Sequence, residues 1–399
     1  MATQGSLLER RPEVDSDWSD LASLWSIRPD SIYLNHGSFG PSPSPVREVR
    51  REYIDALDCQ PMDFYVRQFE PLLLEARQKL GDFLGTARKN IVFAENATFA
   101  MNVVADSFPL REGDEVLLND HEYGAVMRIW ERKCARTGAK VKVVPLPERI
   151  ESAQQVVDSL TAGITPRTKL TIISEITSPT AIILPVAEIA AAFRQRDVAV
   201  CIDGPHVPAQ IDLNLDTLNV DFYCASLHKW LCAPLGTGFL YAHPRWHGVV
   251  QPQLLSWGRL LPALPENWDE QFTWSGTRDS SLYLSVPAAI DFMTKRVGLE
   301  TFRRRCYWLA NYAREQLMEL TGQTPIAPTN GGWYGTMCHV PLPAGDWSRL
   351  QTWLWEAHKI EVPIIHFNNR WFVRVSSHLY NTTSHVDRLV QAIASQIRG

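Results

Sequence analysis

The feature that most constrains the fold is an alternation of short apolar runs with helix-like segments in the middle of the chain. Runs rich in Val, Ile and Leu that are bounded by turn residues are typical of strands buried on both faces. When such strands alternate with helices, the helices connect them in parallel. The runs are NIVFAEN (90–96), DEVLLND (114–120), AKVKVVPL (139–146), TKLTIISEI (168–176), VAVCID (198–203), DFYCAS (221–226) and GTGFLYA (236–242).

The segments between the runs predict helices over 98–107, 123–136, 151–163 and 185–195. After about Ser280 the pattern changes to one long helical stretch over 281–321, followed by shorter strands and helices. We therefore predict an α/β fold with a mostly parallel sheet flanked by helices. Its domains would be an N-terminal arm or helix (1–30), a large α/β domain (31–280) and a smaller C-terminal α+β domain (281–399).

Composition and charge limit the classes of protein that this chain can belong to. Of the 399 residues 45% are hydrophobic, which is enough for a large core, and no basic run suggests nucleic-acid binding. The first eighteen residues lack the apolar core of a signal peptide, and the longest apolar stretch (181–193) is too short to span a bilayer. We expect a soluble, cytoplasmic protein with no membrane partner. The seven cysteines form no C-x-x-C pair, so buried free thiols are expected.

Polar residues follow the predicted strands where each strand ends. Because ligands of open α/β sheets bind beyond the carboxyl ends of the strands, these residues are expected to share one crevice. Together they offer two acids, a lysine, three histidines, several hydroxyl groups and a tyrosine. The segments are Asn96-Ala97-Thr98, His121-Glu122-Tyr123, Thr177-Ser178, Asp203-Gly204-Pro205-His206 and Ser226-Leu227-His228-Lys229.

Lys229 and Asp203 follow two successive strands and suggest a covalently held cofactor. A desolvated lysine is a nucleophile that can join the aldehyde of pyridoxal 5′-phosphate (PLP). A carboxylate such as Asp203 would keep the pyridine nitrogen of PLP protonated, which the cofactor needs in order to accept electrons. Each residue also has a plainer interpretation, since Lys229 could extend to the surface and Asp203 could cap a helix.

The remaining strand-end residues fit other parts of the same cofactor. Thr98, at the expected start of a helix, could bind a phosphate together with Ser226 and His228. Tyr123 could stack on the pyridine ring, and Ser178 and His206 could hydrogen-bond its phenolic oxygen. Each of these side chains could instead be an ordinary polar group at a turn or helix start.

Several motifs resemble one known family. The segment SLHKWLCAPLGTGFL (226–240) resembles the cofactor-lysine motif of class V aminotransferases, which are fold-type I PLP enzymes and include the cysteine desulfurases. Five further segments are similar to the isopenicillin N epimerase-like branch of this family. They are YLNHGSFGPSP (33–43), NATFAMN (96–102), DHEYGAV (120–126), IDGPHVPAQIDLNL (202–215) and VRVSSHLYNT (373–382).

The resemblance implies a role for each matching position. It implies that Lys229 carries PLP covalently and that Arg374 binds the α-carboxylate of an amino acid substrate, with Asn35 and His36 on the substrate side. It also implies a homodimer, because Gly276 and Thr277 would complete the phosphate site of the neighbouring subunit. The other implied cofactor contacts are Asp203 at the ring nitrogen, Tyr123 on the ring, His206 and Ser178 at the phenolic oxygen, and Ala97, Thr98, Ser226 and His228 at the phosphate.

One departure from the family pattern narrows the reaction. Desulfurases carry a nucleophilic cysteine shortly after the carboxylate-binding arginine, whereas here that stretch reads RVSSHLYNTTS (374–384). Transfer of sulfur through a persulfide is therefore not predicted. Epimerisation or racemisation, β-elimination by a C–S lyase, and aminotransfer stay open. The alternatives from other classes are a metal-dependent hydrolase built on Asp203, His206 and His228, and a non-catalytic binding module.

Overall fold

The computed structural model describes residues 14–259, 264–329 and 332–398, so that part of the predicted N-terminal arm lies outside the described residues. Its central sheet has seven strands in the order β2-β8-β7-β6-β5-β3-β4. The strands β3 to β7 run parallel, and β8 is antiparallel to both of its neighbours. The prediction of a mostly parallel sheet is thus confirmed. The twelve strands of the described residues are β1 (Ile32–Tyr33), β2 (Ile91–Ala94), β3 (Glu115–Asn119), β4 (Lys140–Val144), β5 (Thr168–Ser174), β6 (Ala199–Asp203), β7 (Phe222–Ser226), β8 (Gly238–Ala242), β9 (Met337–Pro341), β10 (Ile360–Glu361), β11 (Ile364–Phe367) and β12 (Arg370–Ser376).

Helices cover both faces of this sheet, and two separate apolar clusters form its flanks. The inner strands β6 and β7 are buried along their whole length, which explains their continuous apolar runs. The α-helices of the described residues are α1 (Ser19–Ala22), α2 (Ser44–Cys59), α3 (Pro61–Asp63), α4 (Phe69–Leu84), α5 (Ala97–Ser107), α6 (Gly124–Thr137), α7 (Ala153–Ala162), α8 (Val186–Arg194), α9 (Leu215–Leu218), α10 (Ser281–Leu284), α11 (Val286–Asp291), α12 (Leu299–Thr321), α13 (Leu350–His358) and α14 (Thr383–Arg398).

A smaller α+β layer follows the central sheet in the chain. Its antiparallel sheet has the order β11-β12-β9 and packs on α12 and α14 around a third apolar cluster. The short strand β1 pairs in parallel with β10, and Asn35 forms a bridge with Ser376. The segment after β1 is consequently held between the small layer and the carboxyl edge of the large sheet.

The long helix predicted over 281–321 is interrupted, and this part of the prediction is wrong. The helix α10 ends at Leu284, and a π-helical segment (Phe292–Val297) follows α11. Gly298 then takes a φ of +82° and separates this segment from α12. A residue with positive φ cannot continue a right-handed helix, so the chain turns there. The four helices predicted between 98 and 195 are correct to within one or two residues at each end, and the domain boundaries stay predictions.

Two further expectations concern thiols and membranes. All seven cysteines are free, and six of them are buried, whereas Cys59 is exposed. Among the described residues, no helix combines the length and the apolar composition needed to cross a membrane.

Candidate active site

A cavity of about 320 Å³ opens at the carboxyl ends of the parallel strands. Ten of the residues predicted from the sequence line it, so the strand ends bring together side chains that are far apart in the chain. They are Ala97, Thr98, Tyr123, Ser178, Asp203, His206, Ser226, His228, Lys229 and Arg374.

Lys229 presents its amine to this cavity, 3.0 Å from Nε2 of His206. Burial, together with the nearby Arg374 charge, lowers the pKa of Lys229 to about 7, although Asp203 acts in the opposite direction. The His206 ring is buried, and this burial holds its pKa well below the usual range. The histidine is therefore neutral, and much of the Lys229 amine is in the uncharged, nucleophilic form near neutral pH.

Asp203 ends β6 and is almost fully buried at the base of the cavity. Burial raises its pKa to about 7, although the Lys229 charge acts in the opposite direction. Among the described residues, no side chain donates a hydrogen bond to this carboxylate. A buried carboxylate without a donor is costly, so the site is suited to a ligand that brings a cationic N–H to it.

The opposite end of the cavity is suited to an anion. Asn96 caps α5 by accepting a hydrogen bond from the Phe99 amide at 2.9 Å, and the Ala97 amide donates to Ser226 Oγ at 3.1 Å. The first turn of a helix leaves N–H groups without helical acceptors, and the helix dipole favours negative charge there. The helix begins at Ala97, one residue before the predicted start at Thr98. Thr98 and His228 line the same end of the cavity.

Arg374 lies on β12, and its buried guanidinium faces the cavity. Its Nη1 donates to the Ser178 carbonyl oxygen at 2.5 Å, and its Nη2 donates to Ser38 Oγ at 2.9 Å. The Nε–H group has no partner among the described residues. Burial lowers the pKa of Arg374 to about 10, so the side chain stays cationic at neutral pH. A fixed guanidinium with free N–H groups is suited to binding a carboxylate.

The two residues predicted on the substrate side differ in location. Asn35 lines a wider groove of about 860 Å³ that shares Tyr123, Ser178 and Arg374 with the cavity. His36 is fully buried and lines neither space, and its predicted place on the substrate side stays a prediction. Its Nε2–H donates to the Lys229 carbonyl at 3.0 Å, and its Nδ1 accepts from the Tyr380 hydroxyl at 2.8 Å. His36 therefore stabilises the backbone at Lys229 from outside the cavity.

His36 also belongs to a buried group with Cys232 and His378, in which one potential metal-ligand atom from each residue lies within 4.8 Å of the others. The hydrogen bond to the Lys229 carbonyl requires a proton on His36 Nε2, which removes the lone pair that a metal would need. Among the described residues, Asp203, His206 and His228 do not bring ligand atoms this close together. The metal-dependent alternative thus gains no support from the structure.

Two further sets of residues bear on the predicted site. Gly276 has a φ of +110°, Thr277 is exposed, and neither lines the cavity of its own chain. Their predicted place in a neighbouring subunit stays a prediction. Sequence reasoning missed Gly37, Ser38 and Phe39, which line the cavity from the segment after β1. Their position within the quoted motif at 33–43 was the available signal.

Comparison with known proteins gives matches that extend over most of the chain. The family model described as aminotransferase class-V matches residues 41–389. The chain is 36% identical over 395 residues to an isopenicillin N epimerase of Amycolatopsis lactamdurans, and the match covers 95% of this chain and 98% of that protein. It is 29% identical over 406 residues to a putative L-cysteine desulfhydrase of Oryza sativa subsp. japonica, covering 90% of this chain and 82% of that protein.

A solved structure shares the fold. It is a mutant of the protein C-DES with glycine covalently linked to its PLP cofactor, and it aligns with a TM-score of 0.80 at 20% sequence identity. The alignment covers 96% of this chain and 99% of that chain. The predicted fold-type I architecture is thereby confirmed.

Proposed function

The chain belongs to the class V aminotransferase family of PLP-dependent enzymes, and on this premise we propose that it acts at the α-carbon of an amino acid as an epimerase or racemase. The observation that carries the proposal is the shared cavity of Lys229, Asp203 and Arg374. A nucleophilic amine, a buried carboxylate and a fixed guanidinium are the three groups that an amino acid and PLP require together.

The residues of the cavity fit the cofactor at both of its ends. The carboxylate of Asp203 would pair with the ring nitrogen, and the α5 N-terminus with Ala97, Thr98, Ser226 and His228 would hold the phosphate. Tyr123 would lie on the ring, and His206 and Ser178 would lie near the phenolic oxygen. The amine of Lys229 would hold the aldehyde. When bound, PLP supplies an electron-withdrawing ring that weakens the bonds at the α-carbon.

The chain's own residues would then orient the substrate and move its proton. Arg374 keeps unpaired N–H groups beside those held by Ser178 and Ser38, and these can bind the α-carboxylate as a fork. With the carboxylate fixed, the α C–H bond would be directed towards Lys229. The free amine of Lys229 would take the α-proton at Nζ, and its lowered pKa leaves that nitrogen able to accept it.

A second candidate reaction is β-elimination, which the similarity to a putative L-cysteine desulfhydrase favours. Elimination needs only one proton acceptor at the α-carbon, and Lys229 could serve. Sulfur transfer through a persulfide is not proposed, because the segment 374–384 carries no cysteine.

The test is a panel of L-amino acids incubated with the holoenzyme in D₂O. An epimerase or racemase would release the D-form with deuterium at the α-carbon, as detected by chiral chromatography and mass spectrometry. Release of pyruvate and ammonia would instead identify a lyase, and dependence on an added keto acid would identify an aminotransferase. No reaction at any α-carbon would contradict the proposal.

A further inference from the structure

Inversion at an α-carbon requires that the proton returns on the face opposite to the one that lost it, either from a second acid/base group or from an exchangeable water. Lys229 supplies one side of the cavity. His206 lies 3.0 Å from the Lys229 amine, so it stands on the same side and cannot serve the other. A second acid/base group must therefore come from a different wall.

Most other polar side chains of the cavity already take part in hydrogen bonds within the protein. Ser38 donates to Asn35 Oδ1 at 2.6 Å and accepts from Arg374, and Ser178 accepts from the same guanidinium. Ser226 accepts from the Ala97 amide at the anion end. Aliphatic hydroxyls are also much weaker acids than a phenol, whose ordinary pKa is about 10. Tyr123 is the remaining cavity side chain with a transferable proton outside the anion end.

The sheet order places Tyr123 across the cavity from Lys229. Lys229 follows β7 and Tyr123 follows β3, with β6 and β5 between these two strands. Neighbouring strands are about 4.8 Å apart, so the two backbone positions are separated by about 14 Å in the sheet direction. A ligand that rests over Asp203 on β6 and Ser178 after β5 thus lies between the two side chains.

The backbone at Tyr123 is firmly held by the residue before it. The carboxyl group of Glu122 accepts hydrogen bonds from the Ser174 amide at 2.9 Å and from the Ser174 hydroxyl at 2.6 Å. It also accepts from Asn119 Nδ2 at 2.5 Å. The Tyr123 side chain itself is 47% exposed and makes no hydrogen bond within the described residues. Its hydroxyl is accordingly free to meet a substrate and to exchange its proton with solvent.

Tyr123 and Arg374 lie close enough to interact electrostatically, since the tyrosine raises the pKa of Arg374. The proposed proton donor is therefore near the guanidinium that would hold the substrate.

We propose that Tyr123 is the second proton-transferring residue of this site and works opposite Lys229. In one direction the α C–H bond breaks and its proton moves to Lys229 Nζ, and bound PLP would accept the electron pair that is left behind. The O–H bond of Tyr123 then breaks and its proton joins the other face of the α-carbon. The phenolate and the ammonium group regain their starting states by proton exchange with solvent, and the reverse reaction exchanges the two roles. The inference rests on the proposed epimerase function.

The test compares wild-type holoenzyme with Tyr123→Phe in D₂O, using each enantiomer of the best substrate separately. Phe keeps the ring and loses only the hydroxyl. We expect interconversion to fall at least about 100-fold, the lower end of the usual contribution of a general acid or base. One enantiomer should still gain deuterium at the α-carbon with its configuration retained, because Lys229 still serves that face, and the other should gain none. The pH titration of the cofactor absorbance should match that of wild type.

Three outcomes would overturn the inference. Interconversion within twofold of wild type in Tyr123→Phe would show that the hydroxyl is not used. If deuterium exchange falls equally for both enantiomers and the pH midpoint of the cofactor absorbance shifts, Tyr123 only positions the ring. If wild-type enzyme interconverts no enantiomers at all, the proposed function fails first and this inference fails with it. Tyr53→Phe, on α2 outside the cavity, is the matched control and should behave as wild type.

Discussion

At the scale of single residues, the site depends on the balance of charges around Lys229. Burial and the Arg374 charge both favour the neutral amine, and Asp203 favours the ammonium form. The pKa of about 7 compares with an ordinary value of 10.5, so the neutral form becomes abundant near neutral pH. The reactivity of the lysine is thus a property of its neighbours as much as of the residue itself.

This balance predicts how the apoenzyme captures PLP as the pH changes. The capture rate should rise with pH through about 7, because only the neutral amine attacks the aldehyde and the neutral fraction grows as pH increases. In Arg374→Met a neighbouring cation is lost, so the pKa of Lys229 rises and the midpoint should move to higher pH. Stopped-flow absorbance measures the rate, with Arg370→Met as the control. A midpoint that stays in place or moves to lower pH in Arg374→Met would contradict the explanation.

Sequence reasoning found the residues at strand ends and missed those held by distant contacts. Asp203 and Lys229 could be predicted because parallel strands bring their carboxyl ends to one edge of a sheet. The contact between His36 and Tyr380 could not be predicted, since the two residues lie 344 positions apart in the chain. The role of Ser38 likewise depends on Arg374, 336 positions away. A hydrophobic periodicity or a local motif does not predict a contact between residues so far apart in the sequence.

At the scale of elements, the segment between β1 and α2 connects the small layer to the backbone at Lys229. Gly40 packs so closely that a Cβ atom there would lie 2.5 Å from the His228 carbonyl oxygen and 2.7 Å from that of Lys229. It would also lie 2.6 Å from Nε2 of His36. A glycine is required because two backbone segments meet at this point.

Gly40→Ala should therefore damage both stability and cofactor binding. Forcing a methyl group against fixed carbonyl oxygens should lower the free energy of unfolding by about 1–3 kcal/mol. Urea unfolding measures this change, and the cofactor absorbance per subunit should fall as the lysine backbone moves. Gly248→Ala is the matched control, because a Cβ atom at that position would have no neighbour within 4 Å. Equal stability of the two variants would refute the close packing at Gly40.

The strands of the large sheet were predictable because their apolar runs are long and clearly bounded. The break between α11 and α12 was not, because the amphipathic pattern continues through the π-helical segment (Phe292–Val297). Gly298 was the one local signal of the break. Its meaning depends on the packing of α10 and α11 against α2 and α4, which the sequence does not reveal.

At the scale of the whole molecule, we predict a homodimer in which each subunit completes the phosphate site of its partner. This follows from the family resemblance at Gly276 and Thr277, and Thr277 is exposed in the single chain. If the sites are shared, two different inactive variants should complement each other.

The complementation test mixes Lys229→Ala with Thr277→Arg after partial unfolding and joint refolding. In a mixed dimer, one site combines both defects and the other combines a normal lysine with a normal Thr277. Activity should therefore reappear in the mixture, with one working site per mixed dimer, although each variant alone is inactive. Light scattering should report a dimer. An active monomer, or no recovery in verified mixed dimers, would contradict shared sites.

Every assignment in the site depends on PLP being joined to Lys229 and to no other lysine. Borohydride reduction of the reconstituted enzyme, followed by digestion and mass spectrometry, locates this bond directly. We expect one pyridoxyl group per chain on the peptide that contains Lys229, and no such group after reduction of Lys229→Ala. A stoichiometric pyridoxyl group on another lysine, or none in the wild-type chain, would show that the assignment is wrong.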